Sequence, residues 1–348
     1  MTQPERKRAV SGNLKGEVPM MLRIIEDETE IRRYARQFLK HLRPYVSQRW
    51  SMTLGYPGGS FKARLNWSES LGIWFCSRSG TAEVYWQAFG AGKPKGSSVA
   101  ITCEINLPKT GKDRRISGAL ALDSEGRVYV VHRGKLGGKK GAGKTVFEKQ
   151  YRGAWTLMDE GDTWSTVAVV ASLQSPNCAR QVAQFVQKVE RIKLTAARRT
   201  MQTEMPLEAL DFHMEQIGES FAEIGGDLTT VCDHGLVVAD LAAFLKHSGF
   251  RCVNYEDQDL AAINRSGNTV AVFQVVKSLS NSDILEGIAR LILARTDPAD
   301  SMKLILVTPA GFKETMTETL GRIGIRQIKY QWHEGSATFT SLENLAVS

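Results

Sequence analysis

Gly138-Lys139-Lys140-Gly141-Ala142-Gly143-Lys144-Thr145 is a tract built for phosphate. Glycines let backbone amides approach an anion closely, and the lysines neutralise it. The tract matches the nucleotide-binding expression GxxxxGK[ST], but its surroundings argue against a nucleotide hydrolase. A strand expected at Val128–Val131 stops at His132-Arg133, six residues before Gly138. The segment after Thr145 is stopped by Arg152-Gly153 within two helical turns. A nucleic-acid phosphate clamp is the alternative, made of Arg114, Arg115, Arg133, Lys135, Lys139, Lys140 and Lys144. His132 beside them either reads a base or phosphate or serves the fold. A solvated loop is the bland alternative to the clamp.

Charge supports a polyanionic partner. The chain carries 45 Lys and Arg against 37 Asp and Glu, a net of +8 over 348 residues. From Val231 to Ser348 there are 11 basic and 13 acidic residues, so residues 1–230 hold +10. Lys109–Lys144 alone has ten basic and three acidic residues. Double-stranded DNA is the expected partner. Five scattered cysteines without a CxxC pair read as reduced thiols in a cytoplasmic protein. No apolar run suggests a membrane partner.

Residues 1–20 are expected as a flexible arm and 21–199 as a basic, strand-rich α+β nucleic-acid-binding domain. The spacing of Ile31, Tyr34, Ala35, Phe38, Leu39 and Leu42 predicts a helix ended by Pro44. Short aromatic and β-branched tracts from Trp50 to His132 predict strands, with Ser98–Leu107 as one of them. Trp67, Trp74, Tyr85, Trp86 and Phe89 on these strands either stack on bases or fill the core. Val182, Phe185, Val186, Val189 and Ile192 mark a further helix. Residues 200–230 read as a linker with a bridging helix over Leu207–Ile224, and 231–348 as an α/β domain.

In that last domain a helix over Leu236–His247 precedes Asp257-Gln258-Asp259, a strand over Leu260–Asn264 and a turn at Gly267-Asn268. A strand ending Phe273-Gln274-Val275-Val276-Lys277 follows, then a helix over Asp283–Arg295 and a strand over Leu304–Val307. This order resembles the PD-(D/E)XK, restriction-endonuclease-like nuclease fold. The resemblance covers roughly residues 234–334. It implies that Asp259 holds Mg²⁺ or Mn²⁺ and that Gln274 and Lys277 complete a catalytic site for phosphodiester cleavage.

The family commonly places an acid or Gln two residues before the lysine. Here that position is Val275, and Gln274 would face the other way unless a β-bulge re-aims it. Glu256 and Asp257 are substitute acids. Two readings therefore stay open. One is a metal-dependent DNA endonuclease laid out like a two-domain restriction enzyme, with a role in defence or plasmid maintenance by that analogy. The other is a non-catalytic subunit whose nuclease frame binds nucleic acid, another protein or a second copy of itself.

Overall fold

The structure is a computed structural model that describes residues 21–56, 59–78, 83–136, 143–201, 228–255, 258–295 and 302–340. The expected arm over 1–20 and bridging helix over 207–224 lie outside the described residues. The fold mixes helices with three sheets, an α+β arrangement.

Strand β1 (Leu22–Ile24) leads into helix α1 (Glu28–Leu42). Asp27 caps that helix by accepting the Glu30 backbone N–H at 2.8 Å. Ile31, Ala35, Phe38 and Leu42 form its buried stripe. Strands β2 (Gln48–Tyr56), β3 (Gly59–Ser68), β4 (Ile73–Arg78) and β5 (Val84–Ala91) then form an antiparallel meander.

The expected single strand over 98–107 is instead three: β6 (Ser98–Ala100), β7 (Cys103–Glu104) and β8 (Leu107–Pro108). The break has a physical cause. β6 pairs with β2 at one edge of the sheet, while β7 pairs with β5 at the other. Only Ile101 and Thr102 separate them, so the sheet must curl until its edges nearly meet. Leu54, Leu65, Trp67 and Trp74 fill the curl. Gly90 is required there, because a Cβ would sit 2.2 Å from the Trp74 indole.

Next come β9 (Gly118–Leu122), β10 (Val128–His132), helix α2 (Lys144–Gln150), β11 (Trp155–Asp159), β12 (Trp164–Ser172) and helix α3 (Cys178–Met201). β1 closes the barrel of β1-β11-β12-β10-β9 by pairing parallel to β11 and antiparallel to β9. α3 packs Val182, Phe185, Val186 and Val189 into the core shared by the barrel, the curled sheet and α1.

The remainder is helix α4 (Leu228–His247), β13 (Arg251–Tyr255), β14 (Gln258–Ile263), β15 (Thr269–Val275), helix α5 (Asn281–Ala294), β16 (Lys303–Pro309), helix α6 (Glu314–Arg322), β17 (Ile325–His333) and β18 (Ser336–Phe339). These six strands form one mixed sheet in sequence order, parallel only across β15-β16-β17. α4 covers one face through Val237, Leu241 and Leu245. α5 and α6 cover the other through Ile284, Leu291 and Leu320.

α4 is long and apolar enough to cross a membrane by length and composition. Here its apolar residues serve two cores: Leu228 and Cys232 pack into the barrel, the later ones onto the mixed sheet. Arg180 of α3 grips Asp240 of α4 with two hydrogen bonds, at 2.6 and 3.0 Å. The same carboxylate accepts the Ala337 backbone N–H at 2.7 Å. The two halves thus meet through packing and through a shared ion pair.

Candidate functional site: a buried Asp259 cluster and a basic groove

β14 and β15 run antiparallel with Leu260 opposite Phe273, which sets Asp259 opposite Gln274. The Asp259 Oδ2 accepts the Gln274 side-chain amide at 2.8 Å and the Val275 backbone N–H at 2.7 Å. His234 Nε2, from α4, lies 3.3 Å from that oxygen and 3.0 Å from the Val275 carbonyl. Asp259, Gln274 and His234 are all buried. Asp259 and Gln274 therefore do come together, with a register shift in the pairing between Ala262 and Ile263. Gln274 points beneath α5, where glycine at 287 keeps the helix close: a Cβ there would lie 2.8 Å from Val276.

Lys277 is placed differently from expectation. The strand ends at Val275, and Lys277 sits half-buried in the bend beyond it, with no hydrogen bond or ion pair to Asp259. Val275, at the position a second ligand would need, packs into the core beneath α4. Glu256 and Asp257 lie outside the described residues.

The described side chains here make a poor fit to Mg²⁺ or Mn²⁺ by themselves. Among the described residues Asp259 is the carboxylate at this place, its Oδ2 accepts from the Gln274 amide and the Val275 N–H, and Val275 at the second ligand position is apolar. Among the described residues no three His, Cys, Asp or Glu side chains are grouped to hold an ion. What the cluster does is tie α4, β14 and β15 together through one buried acceptor. Asp259→Ala would strand a buried backbone N–H and a buried amide, so urea unfolding should show a loss of about 2–3 kcal/mol. Asp259→Asn, which keeps an acceptor oxygen, should lose less. Equal stability of Asp259→Ala and wild type would contradict a structural role.

Part of the basic loop is committed to buried or shared ion pairs, and part is paired only at the surface. Arg133, buried, donates to Glu160, whose side chain has no exposure at all. Arg114 donates to Glu160 at 2.6 Å and to Asp162 at 2.6 Å. Burial alone would raise the Glu160 pKa, but hydrogen bonds from Arg114 and Arg133 outweigh it and hold the carboxyl below its usual range. Lys112 and Arg114 hold Asp162 down to about 2. These two carboxylates, outside the Lys109–Lys144 segment, absorb much of its positive charge.

His132 is fully buried, not a reader of bases. Its Nδ1 accepts the Gly134 backbone N–H at 3.0 Å, and its Nε2 lies 3.2 Å from the Glu104 carbonyl. Its ring packs against Phe185 and Phe147, with centroids 5.2 and 5.8 Å away. Trp67, Trp74 and Phe89 are likewise core, while Tyr85 and Trp86 are half-buried. Lys139 and Lys140 lie outside the described residues. α2, departing from Lys144, has only seven residues.

The remaining loop cations converge on one groove. A cavity of about 1490 Å³ runs between the curled sheet, the barrel and α3. Arg115, Lys135 and Lys144 line it from the barrel side, Lys93 and Lys95 from the curled sheet, and Lys193 from α3. Two carboxylates also line it. Glu104 accepts the Asn106 amide at 2.6 Å, and Glu190 accepts the Thr102 hydroxyl at 2.6 Å. Six cations and two acids thus line the groove, and Arg115 and Lys144 also pair with Asp113 and Glu148 beside it.

Lys93, Lys95 and Lys193 are absent from the sequence-based set. A signal for the first two existed in Gly92-Lys93-Pro94-Lys95-Gly96, where both glycines adopt positive φ, 78° and 72°. Lys93 stands 5.9 Å over the Trp50 ring. Comparison of this chain with protein-family models, with curated proteins and with solved structures finds no match.

Proposed function

We propose that this protein binds double-stranded DNA along the groove between the curled sheet and the barrel, and that it does so without cutting it. The observation that carries this reading is the convergence of Lys93, Lys95, Arg115, Lys135, Lys144 and Lys193 on one concave surface. Three separate elements supply these cations, so their clustering arises from the fold and not from one basic run. A phosphate backbone neutralises such a set and releases counterions on binding. The two carboxylates in the groove disfavour a compact anion over one that can thread past them.

Residues 231–348 are read as a degenerate PD-(D/E)XK-like frame. Its order of helix, three strands, helix and strand, with Asp259 opposite Gln274, supports that reading. The enclosed carboxylate and the separate Lys277 support a scaffold in place of a metal nuclease.

The test is duplex-DNA affinity as a function of salt. Replacing Lys93, Lys95 and Lys193 together with Ala should weaken binding by roughly 10- to 100-fold at low salt, similarly across sequences. It should also flatten the log–log salt slope by about 2–3. Unchanged affinity would remove the groove from consideration. Cleavage of duplex DNA with Mg²⁺ or Mn²⁺, abolished by Lys277→Ala in a folded variant, would restore the endonuclease reading.

A further inference from the structure

α5 has two apolar stripes, and among the described residues only one packs against the fold. Ile284, Gly287 and Leu291 face the sheet and are buried. Leu285, Ala289, Ile292 and Leu293 repeat at i, i+4, i+7 and i+8 on the opposite side, all exposed. Leu293 is 80% exposed, Leu285 64% and Ile292 51%. The helix itself is well anchored: Ser280 caps it by accepting the Asp283 N–H at 3.2 Å.

We propose that this outer face of α5 pairs with the same face of a second copy of the chain, the two helices running antiparallel about Ala289. The flanking charges favour this occupant. Glu286 and Arg290 lie on one side of the stripe and pair within the helix. A two-fold axis at Ala289 brings that side of one helix against the same side of the other. Leu285 then meets Leu293 of the second copy, and small Ala289 meets its own counterpart, allowing close approach. Glu286 comes within ~3 Å of rise of the level of the opposing Arg290, and reciprocally. A partner carrying one sign of charge would match Glu286 or Arg290 but not both. Four side chains on one helix make a small contact beside the ~800 Å² per partner of a standard stable interface, so weak, concentration-dependent association is expected.

Sedimentation velocity of the full chain between about 1 and 100 μM reads this directly. The wild type should move from monomer towards dimer over that range. Leu293→Glu, at a position too exposed to affect folding, should remain monomeric, with circular dichroism confirming an intact fold. Glu286→Arg and Arg290→Glu should each weaken association by roughly 3- to 10-fold, and the double variant should recover it. A wild type monomeric at 100 μM overturns the proposal, as does a dimer indifferent to Leu293→Glu. If both single charge variants weaken the dimer and the double variant fails to recover it, the antiparallel two-fold arrangement is overturned.

Discussion

Glu160→Ala should destabilise the protein by about 3–5 kcal/mol in urea unfolding, because it removes one side of a buried ion pair. The Glu160 side chain has no exposure, and that of Arg133 is 6% exposed. Without Glu160, the Arg133 guanidinium keeps, among the described residues, the Gly118 carbonyl at 3.3 Å. A charge cannot be left there cheaply, and its protonation cannot be given up. Asp162 supplies the contrast. It pairs with the same Arg114 but is 60% exposed, so solvent screens the pair and Asp162→Ala should change stability far less than Glu160→Ala does. Double replacement of Arg133 and Glu160 by apolar residues of similar volume should recover most of the loss. If Glu160→Ala and Asp162→Ala behaved alike, burial would not be deciding the outcome.

Acid should destabilise the fold through His132 well before the carboxylates titrate. Burial, reinforced by neighbouring Arg133, pushes its pKa down to about 4, against the opposing influence of the Glu104 carbonyl. The neutral ring uses both nitrogens, and a proton on Nδ1 would break the bond from Gly134. The unfolded chain takes up that proton near pH 6.5, so the contribution is complete above that pH and disappears as pH falls towards 4. The loss amounts to ~3 kcal/mol across that window. An NMR titration of the ring checks the mechanism: its resonances should stay those of neutral imidazole down to about pH 4. A midpoint near 6.5 would mean that the ring is solvated in the folded protein.

Local periodicity made parts of this fold legible. The stripe of α1, the helix containing Val182 to Ile192, and the hairpin turning at Gly267 each follow from neighbours in sequence. Non-local pairing was illegible. Leu22–Ile24 is three residues long and becomes a strand only by meeting β9 and β11 far along the chain. Ser98–Leu107 reads as one strand until the curled sheet gives its two ends different edges to join.

The candidate sites divide in the same way. Arg114 and Arg133 have the chemistry of a phosphate clamp, but sequence order does not show that Glu160 occupies them. Gln274, one residue away from the expected ligand position, reaches Asp259 all the same. A strict alternation rule, anchored on a Lys277 that lies beyond the strand, could not place it.

The double service of α4 has a consequence for how the molecule comes apart. Its first turns fill the barrel core through Leu228 and Cys232, and its later turns fill the mixed sheet. Division of the chain at residue 231 would leave one half with an open cavity and the other with a frayed helix. The two halves should therefore unfold in one cooperative transition, and Glu160→Ala should lower amide protection in β15, on the far side of that helix.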